Sequence, residues 1–275
     1  MKKKFHYRDL FSLKGKSAVV TGGLGILGKR FCRGLAEFGA NVAVVDLDQA
    51  ESQRFAKELS RQYKVKAVGI SCDVSSKESV EAMAEKAFRS LGTVSILHNN
   101  AASRSKDLKA YFSKFEDYSQ KEWQREMSVN IDGMFLVAQA VGKRMAKAKG
   151  GSIIQTASIY GIMAPDHRIY EGSKYQGLRM GSPAVYSASK GAVVALTKYL
   201  AAYWAGRGIR VNTLTPGGVQ SGQNATFIKK YSNRVPMKRM AQGDEIVGAL
   251  IFLASDASSY MTGHNLVVDG GLSAW

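Results

Sequence analysis

A tyrosine and a lysine four residues apart, with a serine upstream, are the residues of this sequence best suited to acid–base chemistry. Tyr186 and Lys190 lie in the run Tyr-Ser-Ala-Ser-Lys, and on a helix positions i and i+4 share a face. A free phenol titrates at about pH 10, so it exchanges protons poorly at neutral pH unless a nearby cation such as Lys190 favours the phenolate. Ser158 could hold the same substrate oxygen in line. The three residues predict proton exchange with a carbinol oxygen, although such a pair also fits a solvated helix surface.

A glycine-rich turn near the start of the chain predicts a dinucleotide site. The apolar run Ser17–Thr21 is typical of a strand, and Gly22, Gly25 and Gly28 follow it before a helical pattern begins. The next strand, Asn41–Asp46, ends in a carboxylate. Glycines let the backbone approach a pyrophosphate, a helix N-terminus offers unpaired N–H groups, and the carboxylate can accept from ribose hydroxyls. A glycine cluster alone can be a mere connector, but this strand, turn, helix and strand together indicate dinucleotide binding.

Strands alternate with helices along the rest of the chain, which predicts a parallel sheet covered on both faces. The expected helices span about 49–63, 77–91, 120–147, 186–204 and 244–254, and the expected strands about 65–71, 94–98, 151–156, 209–214 and 265–269. Asp73 and Asn100 follow strand ends, on the side where open α/β sheets bind ligands, although such residues also favour turns and caps. Asn130 falls inside a helix, where its propensity is poor, so we expect a polar role for it.

Composition indicates one globular domain. The chain has 275 residues, 45 % of them hydrophobic, with 28 glycines and 4 prolines, and at this length a single α/β domain covering residues 1–275 is expected. Cys32 and Cys72 offer no disulfide framework. No signal-peptide pattern and no run of about 18 apolar residues occurs. We therefore expect a cytoplasmic protein that does not enter a membrane.

The formal net charge of +17 at pH 7 fits nucleic acid, an anionic membrane surface or an acidic small substrate. No helix-turn-helix, zinc spacing or RNP-type aromatic motif is visible, so a nucleic-acid partner is not expected. The segment Gln220–Gln242 has no acidic residue but five basic ones, which are Lys229, Lys230, Arg234, Lys238 and Arg239. Five uncompensated cations would repel one another, so this segment predicts an anionic substrate.

These motifs resemble those of the short-chain dehydrogenase/reductase family, over the range from Leu13 to Gly271. Besides the tyrosine, lysine, serine and helix asparagine, the resemblance rests on the pair Asp73-Val74 and on the run Asn99-Asn100-Ala101-Ala102. It implies a single-domain α/β Rossmann fold, in which a doubly wound seven-stranded parallel sheet has helices on both faces. It also implies transfer of a hydride between a nicotinamide cofactor and a carbonyl or alcohol.

The resemblance implies roles for individual residues. Tyr186 corresponds to the catalytic acid/base, and Lys190 to the residue that binds the nicotinamide ribose and lowers the tyrosine pKa. Ser158 corresponds to the substrate-orienting serine, and Asn130 to the asparagine of the proton-relay water. No metal is implied. The implied cofactor contacts are Gly22, Gly25, Leu27, Gly28, Asp46, Leu47, Asp73, Val74, Asn100, Ala101, Tyr186, Lys190, Pro216, Gly217 and Val219.

Cofactor choice should depend on Asp46. Its carboxylate can accept hydrogen bonds from both adenosine ribose hydroxyls but would repel a 2′-phosphate, so NAD is expected and NADP is less favoured. Leu24 and Leu47 supply no cation to offset that repulsion. Lys29 or Arg30 would have to swing over to do so.

Two features depart from the family pattern. Ile26 stands where the middle glycine usually lies, so the backbone there must approach a pyrophosphate differently. The 27 residues between Ser158 and Tyr186 (159 to 185) are more than usual, and they contain an insert, residues 161–183, beside the reacting atoms. The insert residues His167, Arg168 and Lys174 could approach the substrate from the side opposite the lid, the family's mobile segment at 220–242.

The insert and the following stretch resemble family members from bacterial flagellin-modification and surface-sugar pathways. This looser resemblance implies a sugar substrate. Together with the basic segment Gln220–Gln242, it predicts a secondary alcohol or ketone on a phosphorylated or nucleotide-linked sugar. A 3-oxoacyl-carrier-protein reductase and a non-catalytic dinucleotide-sensing module are the alternatives.

The family resemblance implies a homotetramer, with a homodimer as the alternative. The helices around Gln120–Lys147 and Val185–Trp204 would pair across two-fold axes. Periodicity does not exclude that Phe135, Leu196 and Leu200 are all used in the core of one subunit.

Overall fold

A seven-stranded sheet forms the centre of the molecule, in a computed structural model that describes residues 6–103, 105, 107–148 and 150–275. In chain order the described strands are β1 (Ser17–Thr21), β2 (Asn41–Asp46), β3 (Ala67–Ser71), β4 (Ile96–Asn99), β5 (Gly151–Thr156), the short β6 (Lys174–Tyr175) and β7 (Leu178–Arg179), β8 (Ile209–Pro216) and β9 (Asn265–Val268). The sheet order is β3-β2-β1-β4-β5-β8-β9, and all six neighbouring pairs are parallel. The chain order reverses between β1 and β4, which in doubly wound sheets is where ligands bind.

Helices cover both faces of the sheet. The described α-helices are α1 (Ile26–Glu37), α2 (Gln49–Tyr63), α3 (Lys77–Leu91), α4 (Leu108–Tyr111), α5 (Gln120–Met127), α6 (Gly133–Lys147), α7 (Ala184–Trp204), α8 (Ala225–Arg234) and α9 (Val247–Ala254). One core lies between the sheet and α1, α2 and α9, and a second lies between the sheet and α3, α6 and α7. The β-branched residues that alternate along β1 serve both cores, since Val19 belongs to one and Val20 to the other. The predicted fold class is confirmed.

None of the described helices has the length and apolar character needed to cross a membrane.

The helix predicted at 120–147 is interrupted by a turn of π-helix, Ser128–Asp132, between α5 and α6. The π-turn places Asn130 inside the protein, where its side chain is fully buried. Immediately afterwards, Gly133 packs so closely on Val74 that a Cβ atom on the glycine would lie 2.8 Å from a methyl carbon of the valine. Single π-turns within helices frequently occur at functional sites.

The insert and the lid contain elements that the sequence did not predict. Strands β6 and β7 form an antiparallel hairpin in the insert, after a 3₁₀ turn at His167–Tyr170. The lid contains α8, whose first turn is capped by Asn224 through a hydrogen bond from the Phe227 N–H (3.1 Å). The insert and α8 share a third hydrophobic cluster, separate from the two main cores.

Candidate active site

A cavity of about 330 Å³ lies at the carboxyl ends of β5 and β8. Many of the residues that line it were predicted from the sequence, namely Leu27, Asn100, Ser158, Tyr186, Lys190, Pro216, Gly217 and Val219. The fold brings these residues together from β4, β5, β8 and the starts of α1 and α7. Their convergence at the ligand-binding edge of the sheet makes this cavity the candidate active site.

Lys190 is held inside the protein, one helical turn after Tyr186 on α7. Its side chain is only 2 % exposed, and its Nζ donates a hydrogen bond to the backbone carbonyl of Thr156 at the end of β5 (3.0 Å). Burial lowers the pKa of Lys190 to about 8, because the charged form loses its hydration. The alternative of a solvated helix surface is therefore wrong for this lysine.

Tyr186 is half-buried and lies near Ser158 in the cavity lining. Burial raises the pKa of Tyr186, and the Ser158 hydroxyl offsets part of that rise. The Lys190 ammonium group is directed to the Thr156 carbonyl in this arrangement, and its predicted lowering of the tyrosine pKa stays a prediction. Ser158 also accepts from the Tyr160 N–H (3.3 Å). The serine is thus fixed where it can contact both the phenol and a substrate oxygen.

Asn130 links the loop after β4 to α7. Its Oδ1 accepts a hydrogen bond from the Ser103 N–H (2.7 Å), and its Nδ2 donates to the Ser189 hydroxyl (3.5 Å). Ser189 in turn donates to the backbone carbonyl of Tyr186 (2.9 Å). Asn130 therefore supports the backbone that carries the tyrosine, and its relay role stays a prediction.

Backbone segments approach one another closely at the glycine turn, and the predicted approach to a pyrophosphate stays a prediction. Gly22 has a φ of +63°, and a Cβ atom on it would lie 2.9 Å from the Ala101 Cα. At Gly28 a Cβ atom would lie only 1.9 Å from the Gly22 carbonyl oxygen. Gly25 precedes α1 and provides no side-chain cap, which leaves the first N–H groups of this helix available to an anion. Ile26, which replaces the usual glycine, is 55 % exposed and so leaves the turn intact.

Asp46 is positioned at the end of β2 by two backbone hydrogen bonds. Its carboxylate accepts from the N–H groups of Leu24 (2.9 Å) and Leu47 (2.8 Å). The two nearby cations in sequence are engaged elsewhere, since Lys29 pairs with Glu51 (3.1 Å) and Arg30 pairs with Asp244 (3.1 Å).

The strand ends next to the glycine turn are tied to one another. The Thr21 hydroxyl accepts from the N–H groups of Asn100 (2.9 Å) and Ala101 (3.1 Å), and the Asn100 amide donates to the Thr21 carbonyl (3.2 Å). Asp73 instead accepts from the N–H and hydroxyl of Ser75. These are the bonds of a turn, so the cofactor contacts of Asp73 and its buried neighbour Val74 stay predictions.

Part of the cavity wall was missed from the sequence. Tyr160, Phe227, Tyr231 and Met240 line it, and the last three belong to the lid. Phe227 and Tyr231 are spaced i, i+4 and lie on one face of α8, a periodic signal that the sequence did contain.

The basic segment does not behave as predicted. Lys230 pairs with Glu171 (3.6 Å), Arg234 with Asp166 (3.4 Å) and Arg239 with Glu245 (2.6 Å). The description of five uncompensated cations is therefore wrong, because acids outside the segment neutralise three of them. The cavity lining includes none of the five basic residues, and it includes none of the insert residues His167, Arg168 and Lys174. No cluster of potential metal ligands is found among the described residues.

Comparison with known proteins gives the family. A family model described as enoyl-(acyl carrier protein) reductase matches residues 25–273. The D-threitol dehydrogenase of Mycolicibacterium smegmatis is 36 % identical over 269 residues, which cover 95 % of this chain and 94 % of that protein.

Two crystal structures are similar over almost the entire chain. A short-chain type dehydrogenase/reductase from Mycobacterium marinum superposes with a TM-score of 0.86 at 34 % identity, and a gluconate 5-dehydrogenase from Burkholderia cenocepacia in complex with NADP and tartrate superposes with 0.87 at 33 %. Both alignments cover 98 % of this chain and 100 % of the other. The chain thus belongs to the short-chain dehydrogenase/reductase family and is a nicotinamide-dependent oxidoreductase acting on a CH–OH group.

Proposed function

We propose that this enzyme interconverts a secondary alcohol and a ketone on a neutral polyol or keto sugar. The observation that carries the proposal is the set of Ser158, Tyr186 and Lys190 on one wall of a small cavity. Among the described lining residues, Lys190 is the one charged side chain, which favours a neutral ligand over a phosphorylated sugar. The similarity to a D-threitol dehydrogenase and a gluconate 5-dehydrogenase supports a polyhydroxylated substrate.

In this proposal, Tyr186 exchanges a proton with the substrate oxygen, and Ser158 holds that oxygen beside the phenol. Asn130 keeps the backbone of Tyr186 in place through Ser189. A nicotinamide cofactor bound in the cleft supplies the hydride exchange. The turn at Gly22 and Gly28 and the open N-terminus of α1 fit its pyrophosphate.

Replacing Tyr186 with phenylalanine tests the assignment. The ring is kept while the proton path is removed, so turnover of a polyol panel should fall at least about a hundredfold. The dissociation constant for the dinucleotide, measured by fluorescence titration, should stay unchanged. Undiminished turnover would refute the proposal. A wild-type preference for a 3-oxoacyl substrate would favour the alternative of a 3-oxoacyl-carrier-protein reductase over the proposed function. The relatives named above are dehydrogenases, so they do not support the other alternative, a non-catalytic sensor.

We propose NAD as the preferred cofactor, because Asp46 is fixed at the end of β2 and both nearby cations are paired. The gluconate 5-dehydrogenase, solved with NADP, makes NADP the alternative. Asp46→Ser should weaken NAD binding and strengthen NADP binding. Tighter binding of NADP than NAD by the unaltered enzyme would contradict the preference.

We further propose that the enzyme is a homotetramer. A groove of about 950 Å³ runs along α6 and α7, and Phe135, Tyr199 and Tyr203 on it are 47 %, 63 % and 55 % exposed. Leu200 is buried in the core of the subunit, in agreement with the alternative that these helices pack only within one subunit. The three aromatic side chains are not buried there. An exposed apolar face of this kind is typical of a subunit interface. Sedimentation at the mass of one subunit at micromolar concentration would refute the assembly.

Three narrower expectations stay proposals. Residues 1–275 would work as one domain with the insert at 161–183 and the lid at 220–242. A cytoplasmic location is compatible with Cys32 and Cys72, which are free thiols. A role in surface-glycan synthesis stays a prediction, since the relatives named above are polyol and sugar-acid enzymes.

A further inference from the structure

Two carboxylates of the insert lie opposite two cations of α8. Asp166 is paired with Arg234 (3.4 Å), and Glu171 with Lys230 (3.6 Å). Lys230 and Arg234 are spaced i, i+4, so they lie on one face of the helix. The two ion pairs thereby join the insert to α8, although the paired residues are about 60 positions apart in the chain.

Further hydrogen bonds, to backbone and side-chain atoms, hold one residue of each ion pair in place. Lys230 Nζ donates to the carbonyl oxygens of Arg168 (3.0 Å) and Glu171 (2.8 Å) at the end of the 3₁₀ turn in the insert. Asp166 caps the start of the same turn, where it accepts from the Arg168 N–H (3.0 Å) and guanidinium (2.9 Å). These bonds fix the Asp166 carboxylate, which is only 13 % exposed, so that it can meet Arg234.

An apolar contact also joins the insert and α8. The rings of Tyr170 from the insert and Phe227 from α8 have centroids 5.6 Å apart, and both side chains are buried. Tyr231 stacks beside Phe227 at 5.7 Å. Ile169 completes the insert side of this cluster. The docking of α8 on the insert thus combines buried apolar contacts with partly exposed ion pairs.

The docked helix also forms a wall of the active site. Phe227 and Tyr231 line the cavity that contains Tyr186. The Tyr231 hydroxyl accepts a hydrogen bond from the N–H of Gly218, in the turn after β8 that also lines the cavity. A shift of α8 away from the insert would therefore widen the substrate space.

We propose that Asp166 and Glu171 are positioning residues that dock the lid helix on the insert and thereby set the size of substrate that the cavity accepts. The role in substrate selection rests on the proposed polyol activity, whereas the docking does not. Partly exposed ion pairs are individually weak, so the lid can still undock for substrate entry and product release. The insert then acts as the stop against which the lid closes.

Asp166→Asn is the decisive variant, because it keeps the side-chain shape and removes the charge opposite Arg234. Backbone amides of α8 should exchange with deuterium faster in the variant with bound dinucleotide. The KM for D-threitol should rise about fivefold with kcat within about twofold. The ratio of kcat/KM for D-threitol to that for the longer galactitol should fall, because the wall formed by Phe227 and Tyr231 is less fixed.

Two comparisons separate docking from a simple change of charge. Lys229→Gln removes a positive charge from an exposed position of α8, as Arg234→Gln does from its paired position, and it should leave amide exchange and both KM values unchanged. Arg234→Gln should change amide exchange and KM in the same direction as Asp166→Asn. The double variant should be no worse than Asp166→Asn alone, because the Asp166–Arg234 contact is already lost there.

The outcomes distinguish this inference from the proposed activity. Unchanged exchange of the α8 amides in Asp166→Asn would refute the docking, and unchanged KM and size preference would refute the positioning role. Effects that multiply in the double variant would also refute it. A wild-type enzyme that turns over no polyol would refute the proposed function alone, and amide exchange would then still decide the docking.

Discussion

Replacing Lys190 with methionine should stabilise the dinucleotide-free enzyme while abolishing its activity. The lysine is nearly fully buried and has one hydrogen bond, to the Thr156 carbonyl. Burial holds its pKa at about 8 instead of 10.5, so folding opposes its charged form. Methionine has a similar length and no charge, and it should remove this cost.

The magnitude follows from the pKa difference. Between 10.5 and about 8 there are about 2.5 pKa units, which at about 1.36 kcal/mol each amount to about 3 kcal/mol. Losing the hydrogen bond to Thr156 costs about 1 kcal/mol. The net gain in the free energy of unfolding at pH 7 is therefore about 2 kcal/mol, or roughly 5 °C in Tm.

The pH dependence has a definite sign. Between pH 8 and 10.5 the unfolded chain binds more protons at this lysine than the folded one does. The contribution of Lys190 to the free energy of unfolding must therefore rise with pH in this window. The advantage of the methionine variant should be complete below pH 8 and should vanish by about pH 9.5. At about pH 10.5 the variant should be less stable than the wild type by about 1 kcal/mol, because only the loss of the hydrogen bond to Thr156 remains.

Urea unfolding of both proteins from pH 6.5 to 10.5 measures this difference. Lys198→Met, at an exposed position of the same helix, serves as the control and should show no pH-dependent difference from the wild type. A methionine variant at position 190 that is less stable than the wild type at pH 7, or equally more stable at all pH values, would refute the reasoning.

Three further predictions concern other parts of the site. Gly28→Ala should weaken NAD binding in calorimetry more than about tenfold, because its Cβ atom would lie 1.9 Å from the Gly22 carbonyl oxygen; unchanged affinity would contradict this. Asn130→Ala should lower kcat by about tenfold or more with little change in dinucleotide affinity, since the link from Ser103 to α7 is lost; rapid-mixing kinetics at pH 7 would show it. Cys32 and Cys72 should resist alkylation in the folded enzyme, because burial raises the pKa of both thiols; fast labelling by iodoacetamide without urea would contradict this.

Local periodicity was sufficient to predict the main elements of the sheet. Each strand is a short apolar run, and helices with one apolar face separate the strands. Asp46 and Asn100 were placed correctly at the ligand-binding edge because the carboxyl ends of parallel strands meet there. The residues of the catalytic set are joined by the fixed spacing along α7 and by the position of Ser158 just after β5.

The remaining features depend on contacts that local sequence does not encode. The π-turn at Ser128–Asp132 shifts the helical hydrogen bonds by one residue, and its residue types are compatible with a continuous helix. The carboxylate partners Asp166 and Glu171 lie about 60 residues before the lid cations, so the charge of the lid alone was misleading. The insert hairpin did have one sequence signal, which is Gly177. Gln176 and Gly177 form a two-residue turn with positive φ values of 49° and 80°, a conformation that favours glycine.

The environment of Lys190 argues for a chemical role over a structural one. Its hydrogen-bond acceptor, Thr156, also shares a hydrogen bond between its hydroxyl and His98 Nε2 (2.8 Å). Burial lowers the pKa of His98 to about 3, so the imidazole is neutral at physiological pH and adds no second charge beside the lysine. With a pKa of about 8, Lys190 itself is still mostly protonated at pH 7. A buried cation retained at such a cost to stability, at the ligand-binding edge of the sheet and one turn from Tyr186, is typical of a catalytic site.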